Sequence, residues 1–275
     1  MIQGVLPFSG SKNKLTLLRR PTPTVCCHSS DQKFSSLGNP NRVWAISSIH
    51  GDINKLIQLH DALFEKINPG DRLVYTGNYT GYGEYSRETI DEILMFRRLL
   101  LAQPGMKPDD IVYLRGAQED MWQQISQLHF NRHPVDSLLD MMGKGLSATM
   151  QSYGISPHDG IMAAREGISF LTRWTNEVRY KIRQNPGHEI FMTQSRRAAF
   201  TNVQDRFPLL FVSSGIDTHK PLNEQKDTFW SMESDFEQIH APYDPFEKVI
   251  RGFDPQHNGI HLNCVTATLD GGCGF

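Results

Sequence analysis

Val43-Trp44-Ala45-Ile46-Ser47-Ser48-Ile49-His50-Gly51-Asp52 starts as a short apolar run and ends in a glycine turn. Residues 53–67 then place Ile53, Leu56, Ile57, Leu59, Leu63, Phe64 and Ile67 at helical spacing. The pattern returns twice. Residues 71–75 carry Leu73, Val74 and Tyr75 into the glycine-rich loop 77–83, followed by a helical pattern over 86–101. Residues 111–114 lead through Arg115-Gly116 into a helix predicted over 118–128. Strand, glycine turn and helix in threefold succession predict an α/β layered domain with parallel strands. Right-handed crossovers then bring the three turns to one edge of the sheet, where α/β proteins build sites.

Outside these units the chain changes character. Residues 1–41 show no sustained period and are expected to be a flexible N-terminal extension. Lys12, Lys14, Arg19 and Arg20 make its first part basic, with no acid before residue 31. Such a bias leaves organelle targeting by the tail open beside an intracellular, cytoplasmic location. Residues 42–275 form the expected domain, and 129–206 within it read as a helical cap or insert. Between positions 165 and 200 there are seven Lys or Arg against three Asp or Glu. Arg173, Arg179, Lys181, Arg183, Arg196 and Arg197 are therefore a candidate partner surface, against the plainer reading of a solvated helix face. Residues 209–212, 249–250 and 261–268 read as further strands.

Composition narrows the function classes. The 275 residues carry a net charge of −2, which argues against a general nucleic-acid binder. No apolar run approaches the roughly 20 residues of a membrane span. Cys26, Cys27, Cys264 and Cys273 have no metal-binding spacing and read as reduced thiols. The 11 His and 30 acidic residues are enough for a metallohydrolase, so their placement decides.

The glycine turns carry a family resemblance. Ser48-Ile49-His50-Gly51 resembles the Asp-x-His-Gly motif of calcineurin-like metallophosphoesterases. Gly77-Asn78-Tyr79-Thr80-Gly81-Tyr82-Gly83 resembles Gly-Asp-x-x-Asp-Arg-Gly, and Arg115-Gly116-Ala117-Gln118-Glu119 resembles Arg-Gly-Asn-His-Glu. Val212-Ser213-Ser214-Gly215-Ile216-Asp217 resembles Val-His-Ala-Gly-Ile-Asp, and Arg251-Gly252-Phe253-Asp254 resembles the His-Gly-His-Thr region. Order and spacing are most similar to the bacterial-type serine/threonine protein phosphatase branch. The resemblance implies a layered β-sandwich flanked by helices (α/β/β/α) with a helical insert. It also implies two divalent metals, such as Mn, Fe or Zn, that activate a bridging water.

The ligands that the resemblance implies are mostly replaced. Their positions fall on Ser48, His50, Asn78, Ala117, Ser213 and Phe253, and only His50 keeps the family's residue. Gln118 stands where the family has its leaving-group acid, and Arg251 replaces the first histidine of the last motif. Asn78 lacks the charge of a bridging carboxylate, Ala117 has no donor atom, and Gln118 is no acid near neutral pH. The turn glycines persist, among them Gly51, Gly77, Gly116 and Gly252. The expectation is a pseudophosphatase without a cofactor, acting as a binding, structural or regulatory subunit with a protein partner or larger assembly. Two alternatives stay open. One is an active phosphatase with a rearranged metal site. The other is a metal-free sensor of a phosphorylated ligand bound by His50, Arg115 and Arg251. An RNA partner for the basic insert is the weakest of the partner readings.

Overall fold

The computed structural model describes residues 33–204, 207–231 and 235–274. Strands β1 (Phe34–Gly38) and β2 (Val43–Ile46) open the domain, and helix α1 (Ile53–Phe64) follows. Next come β3 (Arg72–Tyr75), α2 (Ser86–Leu101), β4 (Ile111–Tyr113) and α3 (Ala117–Ser126). β2, β3 and β4 form a three-stranded sheet, parallel throughout, as the repeated units predict.

The insert is α4 (Pro134–Met141), a π turn at Met142–Leu146, α5 (Ser147–Ser152), α6 (Pro157–Glu166), α7 (Ile168–Arg183) and α8 (His188–Thr193). The chain then enters β5 (Ala198–Thr201), β6 (Leu209–Val212), β7 (Lys248–Arg251), β8 (His261–Leu262) and β9 (Thr266–Thr268). With β1 these build a six-stranded mixed sheet in the order β1-β5-β6-β7-β9-β8.

Period-2 side-chain alternation sorts the core into layers. Val74 and Val112 of the small sheet meet Leu37, Ala199 and Phe211 of the large one, making the middle of a sandwich. The opposite face of the small sheet, with Ile46, Leu73, Tyr75 and Ile111, packs under α1 to α3 and the insert. The outer face of the large sheet buries Phe200, Leu210, Val212 and Val249 beneath Phe229, Trp230, Phe236 and Phe246. Among the described residues that fourth layer is helical only in single 3₁₀ turns, at Leu222–Glu224, Asp227–Phe229 and Phe236–Gln238. The fold is thus a mixed α/β sandwich with helices on its small sheet. Among the described residues no helix is long and apolar enough to cross a membrane.

Two expected boundaries need correction. Phe34–Gly38 falls in the expected N-terminal extension, yet it is a sheet strand paired in parallel with β5. Ala198–Thr201 falls in the expected insert, yet it lies inside the large sheet, between β1 and β6. Both owe their conformation to partners far away in sequence, and Phe-Ser-Ser-Leu-Gly has no apolar alternation of its own. Within the domain, Leu138, Met150, Trp174 and Phe191 of the insert belong to one cluster with Trp122 of α3 and the helices over the small sheet. The basic segment before residue 33, with Cys26 and Cys27, lies outside the described residues. Among the described residues Cys264 and Cys273 form no disulfide.

Phe211 is 2% exposed at the centre of the sandwich. Phe211→Ala should cost about 3–5 kcal/mol, read as a lowered midpoint in urea or guanidinium with an unchanged slope.

Candidate functional site

Parallel strands carry the chain toward the same edge, so the turns after β2, β3, β4, β6 and β7 can meet. Ile49 and His50 both donate their N–H to the Asn78 carbonyl, at 2.9 Å each, which ties the first turn to the second. Ser48 N–H and Ser48 Oγ both donate to the Gly252 carbonyl, at 3.2 and 3.0 Å, which ties the small sheet to the large one. Gly252 and Phe253 donate in turn to the Ser213 carbonyl, at 3.0 and 2.9 Å. A Cβ on Gly252 would collide with the Thr76 hydroxyl, so only glycine lets the two sheets approach this closely here.

Glu119 fastens the second and third turns. Its buried carboxylate accepts N–H bonds from Asn78 (2.8 Å), Tyr79 (2.9 Å) and Gly116 (2.8 Å). Burial pushes its pKa up, and the backbone donors pull it back. Asp52 caps α1 by accepting from Lys55 N–H at 3.1 Å. These carboxylates, near the edge in sequence, are therefore committed to backbone.

The positions that the resemblance assigns to metal ligands do come together, but as joints. Asn78 Oδ1 accepts the Gln118 N–H at 3.2 Å, which ties the second turn to the start of α3. Gln118 Nε2 donates to the Lys144 carbonyl in the π turn at 2.8 Å, binding the insert to the third turn. The Phe253 ring stands edge-on to His50 with centroids 5.2 Å apart, and Tyr82 approaches from another side at 5.3 Å. Gly274 packs so closely on His50 that an added Cβ would strike its side chain. Burial drives the His50 imidazole down to about 4, against a hydrogen bond with the Thr80 backbone, and His257 pushes in the same direction. At neutral pH His50 is an uncharged ring wedged among aromatics.

Four buried polar atoms at these turns have no partner among the described residues: Asn78 Nδ2, Thr80 Oγ1, Gln118 Oε1 and Ser213 Oγ. All four belong to neutral side chains, and Asn78 Nδ2 is a donor that cannot ligate a cation. Ordered water satisfies such a mixed set. Two divalent cations do not fit it, because bridging them requires anionic oxygen. Among the described residues no three His, Cys, Asp or Glu side chains are grouped to hold a metal ion.

The remaining candidates have partners of their own. Arg251 Nε donates to Thr268 Oγ1 at 2.8 Å, and its guanidinium lies 3.1 Å from Asp254 and over the Phe236 ring at 4.5 Å. Arg115 faces Asp120 at 3.7 Å and the Trp230 ring at 5.8 Å. Both charges are thus turned to carboxylate and aromatic neighbours. The basic insert residues fall into two sets. Arg173, Arg179, Lys181 and Arg183 lie on α7, where Arg179 reaches the Ser126 carbonyl and Arg183 pairs with Glu189 at 2.9 Å. Arg196 and Arg197 sit just before β5, and the Arg197 guanidinium, like that of Arg115, lies over the Trp230 ring, 5.7 Å from its centroid. Nothing in the sequence pointed to the packing of Tyr82 or Gly274 on His50, which depends on long-range folding.

No family model matches the chain, and no curated protein does. Several solved structures are similar. A protein solved as a diadenosine tetraphosphatase is 13% identical, with 87% of this chain and 89% of that one covered and a TM-score of 0.49. A Saccharomyces cerevisiae serine/threonine phosphatase with similarity to human phosphatase PP5 is 14% identical, covering 86% and 70%, with a TM-score of 0.47. A cold-active protein tyrosine phosphatase is 12% identical, covering 90% and 75%, with a TM-score of 0.49.

Glu119→Ala would strand three buried backbone donors at roughly 1–3 kcal/mol each, a loss of several kcal/mol in total. Asp52→Ala removes one exposed cap and should cost only about 1 kcal/mol. Chemical denaturation of the two variants, side by side, checks this order.

Proposed function

We propose that the protein acts by binding and not by turnover, as a metallophosphoesterase-like scaffold whose ligand positions have become internal joints. In this reading it is a structural or regulatory subunit for a protein partner or larger assembly. One observation carries it: the Phe253 and Tyr82 rings pack against His50, the retained ligand, with centroids 5.2 and 5.3 Å away, so aromatic side chains crowd the position from which it would coordinate. A phosphoesterase edge needs charge that metals neutralise and room for a phosphate. This edge offers neutral amides, hydroxyls and rings.

The neighbouring carboxylates argue against a rearranged metal site. Glu119 holds three backbone donors, Asp52 caps a helix, and Asp254 faces Arg251. Moving any of them to a metal would break a joint described above. The orphaned donors Asn78 Nδ2 and Ser213 Oγ favour, as a second reading, a metal-free site for a phosphorylated ligand. Thermal shift with inorganic phosphate and simple phosphomonoesters separates the two readings, since a bound ligand raises the melting temperature through linkage.

The purified full chain, incubated with Mn²⁺, Zn²⁺ or Fe²⁺ and desalted, should retain far less than one metal per chain by elemental analysis. Hydrolysis of p-nitrophenyl phosphate and of phosphopeptides should stay at background, unchanged in His50→Ala. Stoichiometric metal, together with turnover that disappears in His50→Ala, would show an active phosphatase instead.

A further inference from the structure

Helix α2 presents adjacent carboxylates, Asp91 and Glu92, to two buried histidines. Glu92 Oε1 lies 2.6 Å from His60 Nδ1, and His60 Nε2 lies 2.8 Å from Tyr75 OH, all between α1, α2 and β3. Asp91 Oδ1 lies 3.0 Å from His188 Nε2, and His188 Nδ1 lies 2.7 Å from Tyr153 OH. The second chain differs in one respect. Asp91 belongs to the helical layer of the small sheet, whereas His188 opens α8 and Tyr153 closes α5, both in the insert.

The proton positions follow from the partners. An ionised carboxylate only accepts, so His188 carries its proton on Nε2 and donates to Asp91. Nδ1 is then an acceptor, and the Tyr153 hydroxyl donates to it. His188 is fully buried and Tyr153 nearly so. A second proton on the imidazole would occupy Nδ1. The Tyr153 O–H would lose its acceptor and have to turn away within a buried site, which costs free energy.

We propose that Tyr153–His188–Asp91 is an acid-released latch that fastens the helical insert onto α2. The groups facing His188 are Arg87, Glu88 and Asp91 from α2 and Tyr153 from α5, while Glu189 beside it on α8 is paired with Arg183 of α7. Asp91 and Glu88 favour the imidazolium, and Arg87 opposes it. Burial is the largest influence and holds the His188 pKa below its ordinary value of 6.5. The sign follows: the unfolded or unlatched state binds the proton more readily. The latch is therefore fully effective above about pH 6.5 and weakens as pH falls below it. Release would loosen the element that meets the third turn through the Lys144 carbonyl, so the candidate site would feel it.

Hydrogen exchange of the full chain, corrected for its intrinsic pH dependence, tests this. Between pH 7.5 and 5.5, amides of residues 147–193 should lose protection by up to about tenfold, because pH 5.5 lies about one unit below the ordinary imidazole value. Amides of β3 and β6 should lose less. His188→Gln should flatten the profile of the insert. Asp91→Asn, at a side chain that is 58% exposed and so is safe for folding, removes a charge favouring the imidazolium and should move release to lower pH. His60→Gln, which carries the same chemistry away from the insert boundary, should leave the insert profile in place. An insert profile identical in wild type, His188→Gln and Asp91→Asn would overturn the latch. So would a profile that responds to His60→Gln alone.

Discussion

The turn edge depends on one buried carboxylate. Glu119 gathers N–H groups from the turn after β3 and from the turn after β4, two backbone segments with no ladder between them at that point. Strands and helices place these turns near each other, but they do not satisfy their amides. A carboxylate that accepts from all three donors does so, and those bonds counter part of the desolvation that pushes its pKa up. Once the second and third turns are joined, Asn78 can accept from Gln118, and its carbonyl can receive the first turn. The large sheet joins through Ser48 and Gly252.

This order of dependence explains what occupies the ligand positions. A sheet edge lined with aspartates and histidines is stable only when cations neutralise and order it, because buried charge without a partner is expensive. Each replacement here lowers that cost. Asn78 keeps the acceptor of a carboxylate without its charge, and Ser48 becomes a bond between the sheets. Phe253 and Tyr82 cover the imidazole that remains. In the proposed reading, the positions that the resemblance assigns to metal ligands carry packing and hydrogen bonds instead.

Much of this was legible in the sequence, and what was not has physical causes. α2 runs from Ser86 to Leu101 as its apolar spacing predicts, because Ile90, Ile93, Phe96 and Leu100 repeat on one face. The three strand-turn units declared themselves through local apolar runs and glycines. β1 and β5 did not, since Phe-Ser-Ser-Leu-Gly and Ala-Ala-Phe-Thr become strands only by pairing with each other and with β6. At the site, the residue types set apart the positions where this chain departs from the motifs it resembles. They could not show that Arg251 would turn to Asp254 and Phe236, or that Tyr82 would reach His50. Those contacts join segments far apart in the chain, and no local pattern encodes them.

The central claim, that the ligand edge has become a structural joint, is tested most directly by the unfolding free energy of Phe253→Ala. A ring that packs the joint should leave a cavity against His50, and its loss should cost about 3–5 kcal/mol in chemical denaturation. Residues kept for function often cost stability, so their removal is neutral or stabilising. An unchanged or increased unfolding free energy in Phe253→Ala would therefore contradict the account.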